Sequence, residues 1–501
     1  MESLLPLIEG PVFKGLILLA GLFILFLGTG FLLLLSMAIV DRIQTKQAIR
    51  RNFPLVGRFR YLFEKMGEFF RQYFFALDRE EMPFNRAQRS WAYRAAKNLD
   101  NTVAFGSTKD IKPEGTILFV NCPYPTLDSE AMSPSQLVVG PYCRTPYHTD
   151  KVLHISGMSY GAISKPAVIA LSKGAAMAGC WLNTGEGGLS PYHLSGGADL
   201  VFQIGTAKYG VRHQDGSLNP DALREIARHE QVRMFEVKLS QGAKPGKGGI
   251  LPAEKVTEEI ARIRGIEAGK ASISPNRHVE VTDEISLLQL VQQVREITGK
   301  PVGIKFVLGA WAWLDDLFSE VSHRGLESAP DFISLDSADG GTGAAPMSLM
   351  DDVGMSVRES LPFLVDKLEE YGLRERIKVI ASGKLITPSD IAWALCIGAD
   401  FVVSARGFMF ALGCIQAMQC NKNTCPSGVA THDKRLQRGL VPKEKAMRVA
   451  NYQMNMEKEL GIIAHSCGVK EPRRLKRYHA RVVTKGGQSV PLDEWHTQSI
   501  N

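Results

Sequence analysis

Three cysteines, Cys414, Cys420 and Cys425, fall within a dozen residues in the string Cys-Ile-Gln-Ala-Met-Gln-Cys-Asn-Lys-Asn-Thr-Cys-Pro. Zinc is one reading, but structural zinc takes four ligands, usually with C-x₂₋₄-C spacing, and no nearby histidine completes that set. Clustered thiolates also hold iron–sulfur centres, where a proline after the last cysteine is common. Three cysteines match a [3Fe–4S] cluster, and a fourth ligand from Cys396 or Cys467 would make it four-iron. Three unligated core thiols are the remaining reading. The other cysteines, Cys122, Cys143, Cys180, Cys396 and Cys467, are scattered along the chain and suggest no disulfide framework.

Just before the cysteines lie three glycine-bearing turns: Asp336-Ser-Ala-Asp-Gly-Gly-Thr-Gly343, Ala381-Ser-Gly-Lys384 and Ser404-Ala-Arg-Gly407. Each follows a short apolar run that reads as a strand. Such turns let main-chain N–H groups converge on a phosphate, the usual arrangement late in a barrel. One such turn alone is as well explained by a tight connection; three in succession favour the phosphate. The candidate contacts are Gly340, Gly341, Thr342, Gly343, Ser382, Gly383, Lys384, Ala405, Arg406 and Gly407. No G-x-G-x-x-G follows a strand and no P-loop occurs, so the chain has no obvious nicotinamide site. FMN, with its single phosphate, suits these loops better than a dinucleotide.

The elements that must position these loops alternate in period. Strand-like runs at Val152–Ile155, Met234–Val237, Val302–Val307, Phe332–Leu335, Ile377–Ile380 and Phe401–Val403 are interleaved with helical stretches such as Ala253–Gly265, Ile285–Ile297, Ser356–Tyr371 and Pro388–Ile397. A doubly wound sheet fits this alternation too. Polar and glycine motifs directly after most strands favour an α/β (β/α)₈ TIM barrel with its site, and FMN, at the C-terminal face.

From Gly15 to Val40 no residue is charged, and about twenty apolar residues suffice to cross a bilayer. A signal peptide competes, but the leader carries Glu2 and Glu9 against Lys14, the stretch is long, and no A-x-A-like site follows. We therefore expect a transmembrane helix. Arg42, Lys46, Arg50 and Arg51 come next and predict a single-pass inner-membrane protein whose catalytic domain is cytoplasmic. The Phe- and Arg-rich stretch 53–93 reads either as an interfacial helix or as one packed on the enzyme body. The expected organisation is an anchor over 1–50, a linking, loop-rich region over 51–150, the barrel with its cysteine loop over 151–470 and a C-terminal extension over 471–501. A formal charge of +7 does not indicate nucleic acid, since no basic run is interleaved with stacking aromatics.

Seven strings, ISGMSYGAISKPA (155–167), NTGEGG (183–188), QGAKPGKGG (241–249), ISP (273–275), GIKFV (303–307), DGGTGA (339–344) and CNKNTCPSGVAT (420–431), closely resemble the FMN-binding synthase domain of glutamate synthase, in the same order. The whole chain looks like the shorter, stand-alone glutamate synthase-related proteins of bacteria. The resemblance implies that Met158 and Ser159 lie against the flavin and that Lys305 sits near its anionic ring edge. It implies that Cys414, Cys420 and Cys425 hold a [3Fe–4S] cluster that passes single electrons to FMN. Lys244 would meet a substrate carboxylate or keto oxygen, and Glu186 would lie where ammonia arrives and the imine proton is handled. His278 is either a site residue or a loop histidine. The implied reaction adds ammonia or an amine to a 2-oxo acid, 2-oxoglutarate in the family, and reduces the imine by hydride from the flavin. No glutaminase domain is recognisable, so ammonia would not be made here from glutamine; no domain for NADPH and FAD is recognisable either, so the electron donor would be a protein, ferredoxin or a membrane redox partner. Lys247 and Ile250 stand where the family's loop leads us to expect an acidic residue and a glutamine, which puts 2-oxoglutarate itself in question. The alternatives are a flavoenzyme acting on an unrelated substrate and an electron-transfer subunit of a membrane complex.

Overall fold

The computed structural model describes residues 10–498, so the leader glutamates Glu2 and Glu9, and 499–501 of the extension, lie outside the described residues. Two compact units divide at Arg86 and Ala87.

The first unit is helical. Helix α1, Pro11–Ile43, is apolar on all sides and contains a stretch, Phe13–Ile43, long and apolar enough to cross a membrane. Asp41 near its end is fully buried, paired with Arg50 at 2.5 Å and Arg58 at 2.7 Å and accepting the Leu55 N–H at 3.1 Å. A carboxylate held by two guanidiniums and a main-chain donor folds the following segment back along the helix end. Helix α2, Val56–Phe70, then exposes Phe59 and Phe63.

The second unit contains a closed barrel of eight parallel strands. In chain order they are β1 Leu153–Ile155, β2 Leu182–Asn183, β3 Leu200–Ile204, β4 Val232–Lys238, β5 Val302–Val307, β6 Phe332–Asp336, β7 Lys378–Ser382 and β8 Phe401–Ser404. Closure is made by β8 on β1, with Val402 opposite Leu153. The strands are nearly continuous apolar runs because both faces are buried, one by barrel side chains and one by helices. Phe332 and Phe401, at the starts of β6 and β8, pack with Trp181, Val201 and Met234 and with Val139 and Tyr147 of the hairpin formed by Leu137–Val139 and Tyr147–Thr149. The apolar plug thus sits at the N-terminal ends of the strands, leaving the C-terminal ends for polar groups.

The expected strands and helices are present, with instructive differences. The stretch 253–265 is divided into a short 3₁₀ turn, Ala253–Lys255, and a helix, Glu258–Arg264. The stretch 53–93 holds two helices rather than one: α2 in the first unit, and Arg86–Ala96, whose Ala92, Ala95 and Ala96 are buried and whose Trp91 indole donates to Glu459 at 3.0 Å. In the C-terminal extension, Ala480–Val483 pairs antiparallel with both Ile117–Phe119 and Ser489–Pro491, so that segment shares a small sheet with the linking region.

Two long helices brace β1 from outside. In Lys165–Ala178, Gly174 has no side chain to spare: a Cβ there would lie 2.5 Å from Val449 of helix Pro442–Ser466 and 2.7 Å from the Ala446 carbonyl. Below β5 and β6, Asp331 is fully buried between Arg295 at 3.1 Å and Arg376 at 2.9 Å, and also accepts the Val302 N–H at 2.8 Å. Removing this carboxylate leaves two buried guanidiniums without their counter-charge. Asp331→Ala should therefore cost about 3–5 kcal/mol of stability, read as a lowered chemical-denaturation midpoint of the full chain.

Candidate active site

The C-terminal ends of the strands carry a set of buried charges that open on one cavity, of about 1170 Å³ including its mouth. Lys305 on β5 and Asp336 at the end of β6 are 3.3 Å apart and each only 6% exposed. The Asp336 carboxylate also accepts from the Gly242 N–H at 2.9 Å and the Ser382 hydroxyl at 2.8 Å. Burial works to raise the Asp336 carboxyl, but Lys305 and these donors outweigh it and hold it below the usual range. Burial likewise works against the charge on Lys305, while Asp336 and Glu236 restore it and lift the ammonium above its ordinary value.

Glu186, on the loop after β2, pairs with Lys238 at the end of β4 at 3.0 Å. Burial acts to raise its carboxyl; Lys238, followed by Lys244 and Arg264, acts more strongly the other way, so the group remains an anion. Space for that carboxylate exists only because its neighbours are glycines. A Cβ on Gly249 would overlap its oxygen, and one on Gly205 would lie 2.6 Å from its Cβ. Beneath it, Glu236 on β4 accepts from Asn183 at 2.9 Å, Gln203 at 2.6 Å and Ser334 at 2.5 Å. Asn183 in turn accepts the Gly185 N–H at 2.9 Å, which fixes the start of the Glu186 loop.

Three cations on the same cavity, Lys244, Arg264 and Arg406, have no carboxylate partner among the described residues. Lys244 is pushed down to about 8 by burial and by Lys238, with Glu186 partly compensating. Arg264 is 4% exposed, donates weakly to the hydroxyls of Ser272 (3.3 Å) and Ser159 (3.4 Å), and leaves its Nε without a protein acceptor.

Of the residues singled out in the sequence, Met158, Ser159, Glu186, Lys244, Lys305, Gly341, Thr342, Gly343, Ser382, Gly383, Lys384, Ala405, Arg406 and Cys420 line this cavity together. Gly340 and Gly407 stand behind it: the Gly340 N–H turns back to the Ser337 carbonyl at 2.9 Å, and that of Gly407 to the Ser404 hydroxyl at 3.3 Å. Gly383 has φ +112°, and a Cβ there would overlap Ser337. These late loops leave open backbone and the cationic side chains of Lys384 and Arg406 facing the cavity, which suits a phosphate-bearing flavin. His278 does not line the cavity; it is buried behind β4 and donates to the Lys238 carbonyl at 3.1 Å. Lys238, Gln203 and Arg264 are cavity residues that the motifs did not single out. A charged residue at the last position of a buried strand was the available sign for Lys238.

The cysteine loop starts where helix Arg406–Leu412 ends. Arg406 links it to the cavity, donating to the Thr342 carbonyl at 2.5 Å with a second nitrogen 3.9 Å from the Cys420 sulfur. Cys414 and Cys425 are buried and Cys420 half-buried. Burial pushes the Cys414 thiol up, and Cys420 and Cys425 stand near enough to add to that. Among the described residues no three His, Cys, Asp or Glu side chains converge on a point fit for a metal ion, so these thiols are grouped without being drawn together. Their donor chemistry, three thiols with no carboxylate or imidazole among them, suits an iron–sulfur cluster better than zinc. Neither suggested fourth ligand is at hand. Cys396 and Cys467 neighbour each other, and Cys467 ends the long helix whose Lys445, some 33 Å earlier along its axis at 1.5 Å per residue, lies beside Gly413.

A closed (β/α)₈ barrel with buried charges gathered at the C-terminal ends of its strands has the architecture of a barrel enzyme. More narrowly, this chain belongs to the glutamate synthase family: the model of the conserved region in glutamate synthase matches residues 127–470. The glutamate synthase large subunit-like protein YerD of Bacillus subtilis is 38% identical, over 92% of this chain and 95% of that relative. The archaeal glutamate synthase [NADPH] of Methanocaldococcus jannaschii is 34% identical over 65% of this chain, which spans only 61% of that relative's length. Among solved structures, an active chimera of (S)-mandelate dehydrogenase is 15% identical with a TM-score of 0.48, covering 78% of this chain and 98% of that one.

The electrostatics of the cavity are testable without any activity. Lys244 should become acylable, as a neutral amine, with a midpoint near pH 8 in pulsed labelling read by mass spectrometry. Glu186→Gln should move that midpoint down and Lys238→Met should move it up, because the first removes an anion and the second a cation.

Proposed function

We propose that the chain is an FMN- and iron–sulfur-dependent oxidoreductase that reduces the imine formed from a 2-oxo acid and ammonia or an amine. The observation that carries the reading is the gathering of Glu186, Lys244 and Lys305 on one cavity with the late glycine loops. FMN would be held through its phosphate by Ser382, Gly383, Lys384, Ala405 and Arg406 and would supply hydride when reduced. Cys414, Cys420 and Cys425 would hold a [3Fe–4S] cluster, a carrier of single electrons.

The chain's own residues suit the remaining work. Lys305, kept charged by Asp336, presents a fixed cation to an anionic flavin edge. Lys244 and Arg264 offer positive charge to a substrate carboxylate, and desolvation strengthens both interactions. Glu186 remains ionised beside Lys238 and so can accept a proton from an ammonium or amine and hold it near the carbon that becomes an imine. A membrane or soluble electron-donor protein, ferredoxin in the simplest case, would supply the reducing equivalents. We also read α1 as a single-pass inner-membrane anchor with the barrel on the cytoplasmic side; its charge-free core and the following Arg42, Lys46, Arg50 and Arg51 support this.

One observation favours a second reading. Ile250 lines the cavity, whereas Lys247 is exposed on its loop. An apolar wall at that point suits a 2-oxo acid other than 2-oxoglutarate, or an unrelated substrate of the same flavin centre. Anaerobic reduction of the purified protein, followed by mixing with a panel of 2-oxo acids with and without ammonia or amines, separates the readings. Flavin reoxidation that requires both partners supports imine reduction; reoxidation by none of the pairs defeats it.

The flavin's seat has its own test. Gly383→Val forces a side chain onto Ser337 at a positive φ, so the purified variant should lose most of its bound flavin by absorbance. Wild-type occupancy would exclude this loop.

A further inference from the structure

The chain does not run free from the end of α1. Asp41, near the end of that apolar helix, holds Arg50 and Arg58, and Arg58 also reaches back to the Met37 carbonyl at 3.4 Å. Leu55 takes a positive φ of 64° and gives its N–H to the same carboxylate, which turns the chain. Gly57 follows so closely that a Cβ there would lie 2.7 Å from the Ile49 carbonyl oxygen and 2.9 Å from the Arg50 Cα. The start of α2 is therefore fixed at the level of the last two turns of α1, Met37 standing about 9 Å before Ile43 along the axis at 1.5 Å per residue. From there α2 is two-sided. Val56, Phe59, Phe63 and Met66 recur every three or four residues and share one face. Phe59 and Phe63 are 56% and 62% exposed, their rings stacked with centroids 6.3 Å apart. Phe70 carries the row on, its ring 5.5 Å from that of Phe74 and 6.5 Å from that of Phe75. With Arg50 and Arg58 taken up by Asp41, the charged side chains left between residues 42 and 65 are Arg42, Lys46, Arg51, Arg60 and Lys65 against Glu64 alone, and all six are exposed.

We propose that α2 lies in the plane of the bilayer surface, with Val56, Phe59 and Phe63 at the acyl boundary, and that Arg42, Lys46, Arg51, Arg60 and Lys65 form a site for anionic phospholipid headgroups. Two observations choose a lipid surface over a protein as the occupant. The apolar row begins beside the end of a helix long and apolar enough to cross the hydrocarbon, so its rings stand where aromatic side chains partition. Its flanks carry exposed cations with one acid between them, which complements a negatively charged leaflet. The clasp at Asp41 gives the arrangement its depth: it neutralises the one carboxylate of α1 and ties α2 to that level. The proposal rests on the reading of α1 as the anchor and adds to it a second, lipid-selective contact.

The test uses the full chain in nanodiscs of phosphatidylcholine with a minority of phosphatidylglycerol, each lipid carrying a photoactivatable diazirine near the top of one acyl chain. Labelled peptides are read by mass spectrometry. Label is expected in α1 and in the peptide covering 56–66. On that peptide phosphatidylglycerol should be enriched several-fold over its share of the bilayer, since one cation at the surface is worth roughly a fivefold preference for anionic lipid. The variant R51Q/R60Q/K65Q, which leaves Arg42 and Lys46 to set the orientation of the anchor, should lose most of that enrichment while keeping the label. The variant F59S/F63S should lose most of the label on 56–66 and keep that on α1. Label in α1 with none in 56–66 overturns the proposal and leaves the anchor standing; protection of 56–66 from hydrogen exchange in that case gives the face to protein, the enzyme body or a second copy. Equal enrichment in the wild type and the triple variant overturns the headgroup site. Label in 56–66 without label in α1 supports the interfacial helix and defeats the anchor.

Discussion

The ion pair of Lys305 and Asp336 is the contact on which the mouth of the barrel depends. Two charges this deeply buried are stable only if their remaining hydrogen-bonding capacity is met. Asp336 meets it by drawing on two other parts of the chain, Gly242 from the loop after β4 and Ser382 from β7, and on the N–H of its own neighbour Ser337. One carboxylate therefore fixes the mutual positions of β5, β6, β7 and the loop that carries Lys244. Packing serves the same end, since Gly383 can pass beside Ser337 only without a side chain.

Around that pair the charges divide by function. Glu236 is hydrogen-bonded by neutral donors from β2, β3 and β6, so it braces the floor while its charge supports that of Lys305 without a direct ion pair. Glu186 is satisfied by Lys238. Lys244, Arg264 and, beside the late glycine loops, Arg406 are the cations left over, and an enclosed site with uncompensated positive charge favours an anion that restores the balance. This is why a carboxylate-bearing substrate enters the proposed function before any particular acid does.

Much of the barrel was legible because strands buried on both faces read as continuous apolar runs and end in polar motifs. Two strands were not. β2 is only Leu182–Asn183, too short to show a period, and β3 is a five-residue apolar run followed by the single glycine Gly205 rather than by a turn of several glycines. Local motifs disclosed the late loops, where contacts with one ligand come from neighbouring residues. They could not disclose that Lys238 meets Glu186, or that Arg264 opens on the same cavity, because those meetings are made by closure of the barrel over separations of tens of residues. The suggestion of Cys396 or Cys467 as a fourth ligand failed for the converse reason. Residue type matched the chemistry, but the 25-residue helix Pro442–Ser466 carries Cys467 away from the cysteine loop.

Ile250 is where the family likeness and the local chemistry part. It sits on a two-residue strand paired with Ser272–Ile273, next to Gly249, whose missing side chain makes room for Glu186. A hydrogen-bonding side chain at that point would hold a polar substrate group against Glu186; isoleucine offers none, and leaving such a group unpaired in a buried site is costly. Lys244 and Arg264 can still hold one carboxylate regardless of what Ile250 faces. Under the proposed function, the same cavity would keep the chemistry of imine reduction while changing the part of the substrate that lies beyond the reacting carbon. On that proposal, specificity would be set by the arch formed by Ile250–Leu251 and Ser272–Ile273, and reactivity by the ends of the strands beneath it.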